Sequence, residues 1–124
     1  MIDHAQKIAA VDAYVDGFAR GDLDTILAIY ADDATVEDPV GTPLHVGIEA
    51  VRAFYAYSLS TGAKLELMGE PRTAGDYVAF PFRVLLNFDG KHQAIEVIDT
   101  FKFNAEGKVV EMRAFWGPQN VKAL

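Results

Sequence analysis

The sequence predicts an α+β fold in which three N-terminal helices pack on one face of a strongly curved, mostly antiparallel sheet. Three observations predict it. Apolar residues recur at helical spacing through the first half of the chain. From about Leu65 onward they alternate with polar ones, the period of half-buried strands. Turn signals at Asp89-Gly90 and at Asn104 to Gly107 then divide the second half into a meander.

Asp3 followed by Gln6 forms a capping-box pattern, each side chain positioned to satisfy a backbone donor that the first helical turn leaves free. Val11, Tyr14, Val15 and Phe18 make the apolar face of the helix that follows. Gly21 can end that helix in the left-handed conformation, and Asp22 can cap the next. Leu23, Ile26, Leu27 and Tyr30 give the second helix its buried side, with Tyr30 near its end. A short strand-like piece, Ala34 to Glu37, leads to Asp38-Pro39. The proline forces Asp38 into extended backbone, where a strand gives way to a loop. The third helix runs from about Ile48 to Leu59 and turns Val51, Phe54, Tyr55 and Leu59 inward.

Leu65 and Leu67 open the first strand of the second half, which ends near Pro71. Val78, Phe80, Phe82, Val84, Leu86 and Phe88 alternate in the next, and Asp89-Gly90 turns the chain back. The return strand puts Ile95, Val97, Asp99, Phe101 and Phe103 on one face. After the second turn, Val110, Met112, Ala114 and Trp116 alternate in the last strand.

With 124 residues the chain is read as one domain spanning 1–124. Hydrophobic residues make up 51% of it, which argues against disorder. The net charge of −7, with no run of lysine or arginine, would repel a nucleic acid. There is no cysteine, so disulfides, zinc–cysteine sites and thiol catalysis are excluded. Asp3, Asp12 and Asp16 interrupt the apolar positions of the first twenty residues, unlike a signal peptide, and no apolar run reaches membrane-spanning length. The expectation is a cytoplasmic protein that needs no metal and no cofactor.

Asp99 is the most informative residue. Its neighbours on the same strand face are Val97 and Phe101, whereas Glu96, Ile98, Thr100 and Lys102 occupy the other face. An ionised carboxylate among apolar side chains would need a cation or several donors. Arg83 and Arg113 both fall on the opposite face, so the cheaper solution is for Asp99 to keep its proton. Holding an aspartate neutral at physiological pH takes roughly 4 kcal/mol, which burial can supply. A neutral acid is a hydrogen-bond donor. Tyr14, Tyr30 and Tyr55 each lie on an inward helix face, and buried phenols want partners, so together they could form a chain of donors. Asp38, beside Glu37 and the Pro39-Val40-Gly41 loop, reads as a carboxylate in polar surroundings, ionised and free to accept a proton. Two aspartates whose environments push their pKa values apart are one way to recognise an acid and a base in a single site. Each residue also has a plainer reading: Asp99 as a structural tie, Asp38 as a turn residue before proline, the tyrosines as core.

Other chemistry finds little support. His4, His45 and His92 fall in a capping region, a loop and a hairpin flank without metal-ligand spacing. Asp32-Asp33 reads as a solvated helix end. The ten glycines are scattered at turns and make no phosphate-binding loop.

The run Gly21-Asp22-Leu23-Asp24, followed by Tyr30-Ala31-Asp32-Asp33-Ala34-Thr35-Val36-Glu37-Asp38-Pro39-Val40-Gly41, closely resembles the bacterial ketosteroid isomerases. Ala53-Phe54-Tyr55, Val97-Ile98-Asp99 and Met112-Arg113-Ala114-Phe115-Trp116-Gly117 extend the resemblance over nearly the whole chain. These isomerases are themselves a standard example of a carboxylic acid kept neutral so that it can donate a hydrogen bond. The resemblance implies the cone-shaped fold of nuclear transport factor 2 and a steroid Δ5-isomerase activity. It implies Asp38 as the base and Tyr14 and protonated Asp99 as donors to the substrate oxygen, with Tyr55 and Tyr30 as a network behind Tyr14. Phe54, Phe82, Val84, Phe101, Met112 and Trp116 would line an apolar cleft suited to a flat, fused-ring 3-oxo-Δ5-steroid. Homodimers are typical of the family, and here Leu85, Arg113 and Phe115 fall on the outer sheet face where a partner subunit could cover them.

The same fold hosts other functions. One alternative is another enzyme in the same pocket: a dehydratase, expected to use histidines, an epoxide hydrolase built on an inward Asp–Arg–Asp group, or a polyketide cyclase. The other is a non-catalytic binder of apolar ligands, which has no use for a buried acid that costs stability.

Overall fold

The computed structural model describes residues 2–124, the side chain of Phe88 excepted, so the inward position expected for Phe88 lies outside the described residues. Helix α1 (His4–Arg20) begins at the anticipated capping box: the Gln6 backbone N–H donates to Asp3 Oδ1 at 2.8 Å, and the Asp3 N–H donates to Gln6 Oε1 at 2.9 Å. It ends at Gly21, whose φ of 63° is the left-handed conformation that glycine adopts without strain. Asp22 caps the five-residue α2 (Leu23–Leu27). Gly17 lets the two helices meet, because a Cβ there would stand 2.5 Å from Ile26 Cγ1.

Strand β1 (Tyr30–Glu37) starts earlier than expected. Tyr30 opens this strand and does not belong to α2, which is too short to reach it. Asp32 and Asp33 are exposed, but within the strand, at an irregularity of its pairing between Tyr30 and Thr35. A two-residue strand β2 (His45–Val46) pairs with β1, placing His45 in the sheet instead of a loop. Helix α3 (Ile48–Ser60) follows, with Val51 and Tyr55 buried.

The rest is sheet: β3 (Lys64–Leu67), β4 (Arg72–Ala74), β5 (Tyr77–Phe88), β6 (Lys91–Phe103), β7 (Val109–Phe115), a short 3-10 turn (Pro118–Asn120) and β8 (Val121–Ala123). The order is β2-β1-β7-β6-β5-β3, with β4 added to β5 and β8 to β6. Among the described residues only β1 and β7 pair in parallel. Asp89 and Gly90 both take positive φ, as a two-residue hairpin between twisted strands requires. β2, β4 and β8 are two or three residues long, too short for alternation to reveal.

One inward position differs from the sequence reading. Val109 is fully buried while Val110 is only half-buried. The register with β6 slips between Lys102 and Phe103, so β7 holds an extra residue there, and such a bulge reverses which side chain faces the core. Beyond it Met112 and Ala114 face inward as expected. The core between helices and sheet is rich in aromatic rings, including Phe18, Tyr55, Phe80 and Phe101.

Candidate active site

The register delivers the site residues. Asp99 pairs with Phe80 on β5 and Ala114 on β7, in the middle of the sheet. Its inward neighbours Val97 and Phe101 are buried, and Asp99 itself is 1% exposed. Neither carboxyl oxygen has a hydrogen-bond partner. Desolvation first, and the charge of Asp38 second, push its pKa well above the ordinary aspartate value. Burial thus disfavours the charged form of Asp99, and among the described residues neither oxygen is engaged. Arg83 pairs with Glu66, and Arg113 with Glu37 and Glu111, so both guanidinium groups are engaged away from it.

Tyr14 reaches the same region from α1. Its ring meets Phe80 at 6.1 Å and Phe101 at 5.3 Å, edge-on in both cases, which sets it over the strand segment bearing Asp99. Its hydroxyl lies 3.1 Å from that of Tyr55, which lies 2.5 Å from that of Tyr30. Burial raises all three phenols well above their usual pKa, so they stay protonated. The chain of hydroxyls ties α1, α3 and β1 together at one point.

Asp38 follows β1 directly, and its peptide bond to Pro39 is cis. β1 lies beside β7 in parallel, and the Val40 N–H donates to the Ala114 carbonyl at 2.9 Å, so the segments after both strands emerge together. Trp116 is therefore beside Asp38, and its indole Nε1–H donates to Asp38 Oδ1 at 2.8 Å. The polar setting expected for Asp38 is corrected here. Desolvation raises its pKa, opposed by the Trp116 hydrogen bond and then by His45. Both aspartates shift upward, and burial opposes charge more strongly at Asp99 than at Asp38.

Tyr14, Asp38 and Tyr55 border an apolar cleft of about 280 Å³, whereas Asp99 is not among its lining residues and is buried behind them. Tyr14, Asp38, Phe54, Tyr55, Phe82, Val84 and Trp116 line it. Phe101 and Met112 do not: both are wholly buried behind the lining and support it. Tyr30 likewise stands one hydroxyl further back. The sequence reading missed Phe18, Leu65, Leu86, Ile95 and Val97 as lining residues, although their inward phase was legible. It also missed Tyr57, Ser58 and Thr61, which line the cleft from a helix face that carries no apolar pattern. His45, although in no metal cluster, packs its ring 4.7 Å from that of Phe54 at the cleft margin. Among the described residues no group of three His, Cys, Asp or Glu side chains could hold a metal ion. Among the described residues no helix is long and apolar enough to cross a membrane.

Such a cleft presents a carboxyl with one side-chain hydrogen bond and a protonated phenol between apolar walls, with a second carboxyl buried behind the lining. That is equipment for moving protons on a carbon skeleton while charge accumulates on an oxygen. Residues 11–112 match the SnoaL-like domain model. A steroid Delta-isomerase of Nocardioides simplex is 40% identical over 114 residues, 92% of each chain. The epoxide hydrolase LasB of Streptomyces lasalocidi is 33% identical over 103 residues, covering 78% of this chain but only 36% of that longer enzyme. A solved structure of SalBIII, an epoxide hydrolase/cyclase-like enzyme with a role in pyran ring formation in the polyether salinomycin, superposes over the whole of both chains with a TM-score of 0.93 at 26% identity. The chain belongs to the SnoaL-like family, with the fold of nuclear transport factor 2, and is a homologue of steroid Δ-isomerases.

Proposed function

We propose that the protein is a steroid Δ5-isomerase that converts 3-oxo-Δ5-steroids into 3-oxo-Δ4-steroids. The observation that carries this reading is the orphan carboxyl of Asp99, buried where its charged form is disfavoured, while Asp38 lines the adjoining cleft. Ionised Asp38 takes the proton from the carbon between the ketone and the double bond. The electron pair moves toward the ketone, and negative charge collects on its oxygen as a dienolate. Tyr14 and Asp99 donate hydrogen bonds to that oxygen. Asp38 then returns the same proton two carbons further along, so the atoms balance without a co-reactant. Donors fixed in advance in a water-poor site stabilise the charge more than mobile water can. Tyr55 and Tyr30 hold the Tyr14 hydroxyl in place, and Trp116 orients the base.

The working form in this reading is a homodimer joined through the outer sheet face. Ile98 and Phe115 are cross-strand partners there, 50% and 45% exposed, an apolar pair for a second copy to cover.

The test is direct. Purified protein is mixed with 5-androstene-3,17-dione while the ultraviolet absorbance of the conjugated enone is followed. Turnover is expected, and Asp38→Asn should lose at least the roughly 10²- to 10⁴-fold that a general base supplies. Tyr14→Phe and Asp99→Leu should each lower kcat by about 10²- to 10³-fold, the usual loss of one oxyanion donor. Unchanged turnover in any variant removes that residue from the mechanism. A second reading, epoxide opening, is favoured by the likeness to LasB and SalBIII. There Asp38 would deprotonate the attacking hydroxyl and Asp99 would protonate the epoxide oxygen. Turnover of a hydroxy-epoxide with none of the steroid would select it.

A further inference from the structure

The pairing of β1 with β2 sets a histidine beside the base. Val36 on β1 is wholly buried and pairs with His45 on β2, while Thr35 pairs with Val46, which is 65% exposed. Directly paired residues of an antiparallel ladder share a face, so His45 lies on the inward face with Val36. Asp38 follows Val36 by two residues and lines the cleft, which sets it one diagonal step from His45, a spacing of roughly 7–8 Å. The imidazole is half-buried and rests on the Phe54 ring, with centroids 4.7 Å apart and planes tilted by 42°. Phe54 is itself a lining residue, so α3 and β2 together hold His45 at the cleft margin.

The other charged groups around this pair are engaged elsewhere. Among the described residues no lysine or arginine lines the cleft. On β1, Glu37 accepts from the Gly41 N–H and pairs with Arg113 of β7, and Asp32 and Asp33 are exposed. On α3, Glu49 and Arg52 face solvent and pair with each other at 3.8 Å. Tyr14 and Tyr55, which border the cleft with Asp38, are phenols kept protonated by burial, and Asp99 lies behind the lining. Burial raises the Asp38 pKa, and the Trp116 hydrogen bond first and the His45 charge second bring it down.

We propose that His45 is a positioning residue for the base: as an imidazolium seated on Phe54, it keeps the Asp38 carboxylate charged, and so ready to take a proton, as the solution turns acidic. This deepens the isomerase reading and rests on it for the role of Asp38. A cation favours the charged form of a carboxylate beside it, so removing the cation makes Asp38 take up its proton at higher pH. The two groups meet at a partly solvated margin, so the displacement is about 0.5–1 pH unit. At higher pH Asp38 is ionised with or without the cation, and kcat on the alkaline plateau is unchanged.

Two substitutions separate charge from shape. His45→Phe keeps a ring against Phe54 without a charge, and His45→Arg keeps a charge without the imidazole. The ionisation of Asp38 is read without substrate from the carbon-13 resonance of its carboxyl, identified by its loss in Asp38→Asn. Its midpoint should rise by about 0.5–1 pH unit in His45→Phe and stay at or below the wild-type midpoint in His45→Arg. The acid limb of kcat/KM on 5-androstene-3,17-dione should move with it in His45→Phe, because that limb reports the base of the free enzyme. An unmoved midpoint in His45→Phe, or equal rises in the two variants, would overturn the proposal. The expected midpoints in a protein that does not isomerise the steroid would support the action of His45 on Asp38 and sink the isomerase reading instead.

Discussion

Asp99→Asn tests the neutral acid without any substrate, through stability. The unfolded chain holds Asp99 as an ordinary aspartate, pKa about 3.9. Burial raises the folded value well above that. Between the two values the folded protein binds one more proton than the unfolded chain, so stability falls as pH rises, by about 1.4 kcal/mol per unit. The contribution is intact below the unfolded pKa and is fully lost only above the folded one. If Asp99 is still protonated at pH 7, the accumulated cost is about 4 kcal/mol relative to acid conditions. Asparagine has nearly the same shape and does not titrate. Its own imperfect fit adds a constant that is independent of pH, so the slope is the quantity to read. Urea unfolding at fixed protein concentration and ionic strength, at pH 5, 6 and 7, should show the variant gaining on the wild type by about 2.7 kcal/mol across the two units. Parallel stability profiles would mean that Asp99 ionises in the folded protein, and the neutral-donor reasoning would fail with it.

Trp116→Phe keeps an aromatic wall but removes the donor to Asp38 Oδ1, one of the two influences that hold its pKa down. The acid limb of the kcat/KM profile should move to higher pH, with a loss below about tenfold on the plateau, the scale of one orienting hydrogen bond; an unmoved limb would refute the link. Phe115→Glu puts a charge into the apolar pair with Ile98, and should convert a dimer to monomers in sedimentation at micromolar concentration. A monomeric wild type would end the dimer proposal. Gly17→Val forces a side chain into Ile26 and should cost about 1–3 kcal/mol in urea unfolding, the usual penalty for overpacking. An unchanged midpoint would mean that α1 and α2 can part freely.

Long-period features were legible because each rests on many residues. The Asp3 capping box, the Gly21 terminus and the alternation of β5 and β6 all follow from local chemistry that the tertiary fold leaves unopposed. The inward phase of Asp99 was legible for the same reason, since four flanking inward positions of β6 agree on it. Tyr30 was misassigned because one buried aromatic fits the end of a helix as well as the start of a strand. Val110 was misassigned because a single-residue bulge leaves no trace in composition. The surroundings of Asp38 were misread for a different reason. Its sequence neighbours are polar, but the groups that desolvate and bind it, Trp116 above all, arrive from the distant end of the chain. Phe101 and Met112 show the remaining limit: inward phase locates a side chain in the core and does not distinguish the wall of a cavity from the layer behind it.

The two aspartates owe their different character to the elements that bear them. Asp99 occupies an interior position of a 13-residue strand flanked by β5 and β7, where the sheet below and the helices above close off water. Among the described residues both of its oxygens are without partners. In the proposed isomerase such a group holds its proton and serves as a donor. Asp38 stands just past the end of β1, where the backbone leaves the sheet, half-buried and held by one side-chain hydrogen bond. In the proposed isomerase it ionises and carries the proton between two carbons of the substrate without breaking a strand. Exchanging the positions would defeat both: an acid at the strand end would be solvated and ionised, and a base in the sheet interior could neither charge nor move. Rigid donors on strand and helix, with the mobile proton carrier at the edge, are what a double-bond transposition demands of this fold.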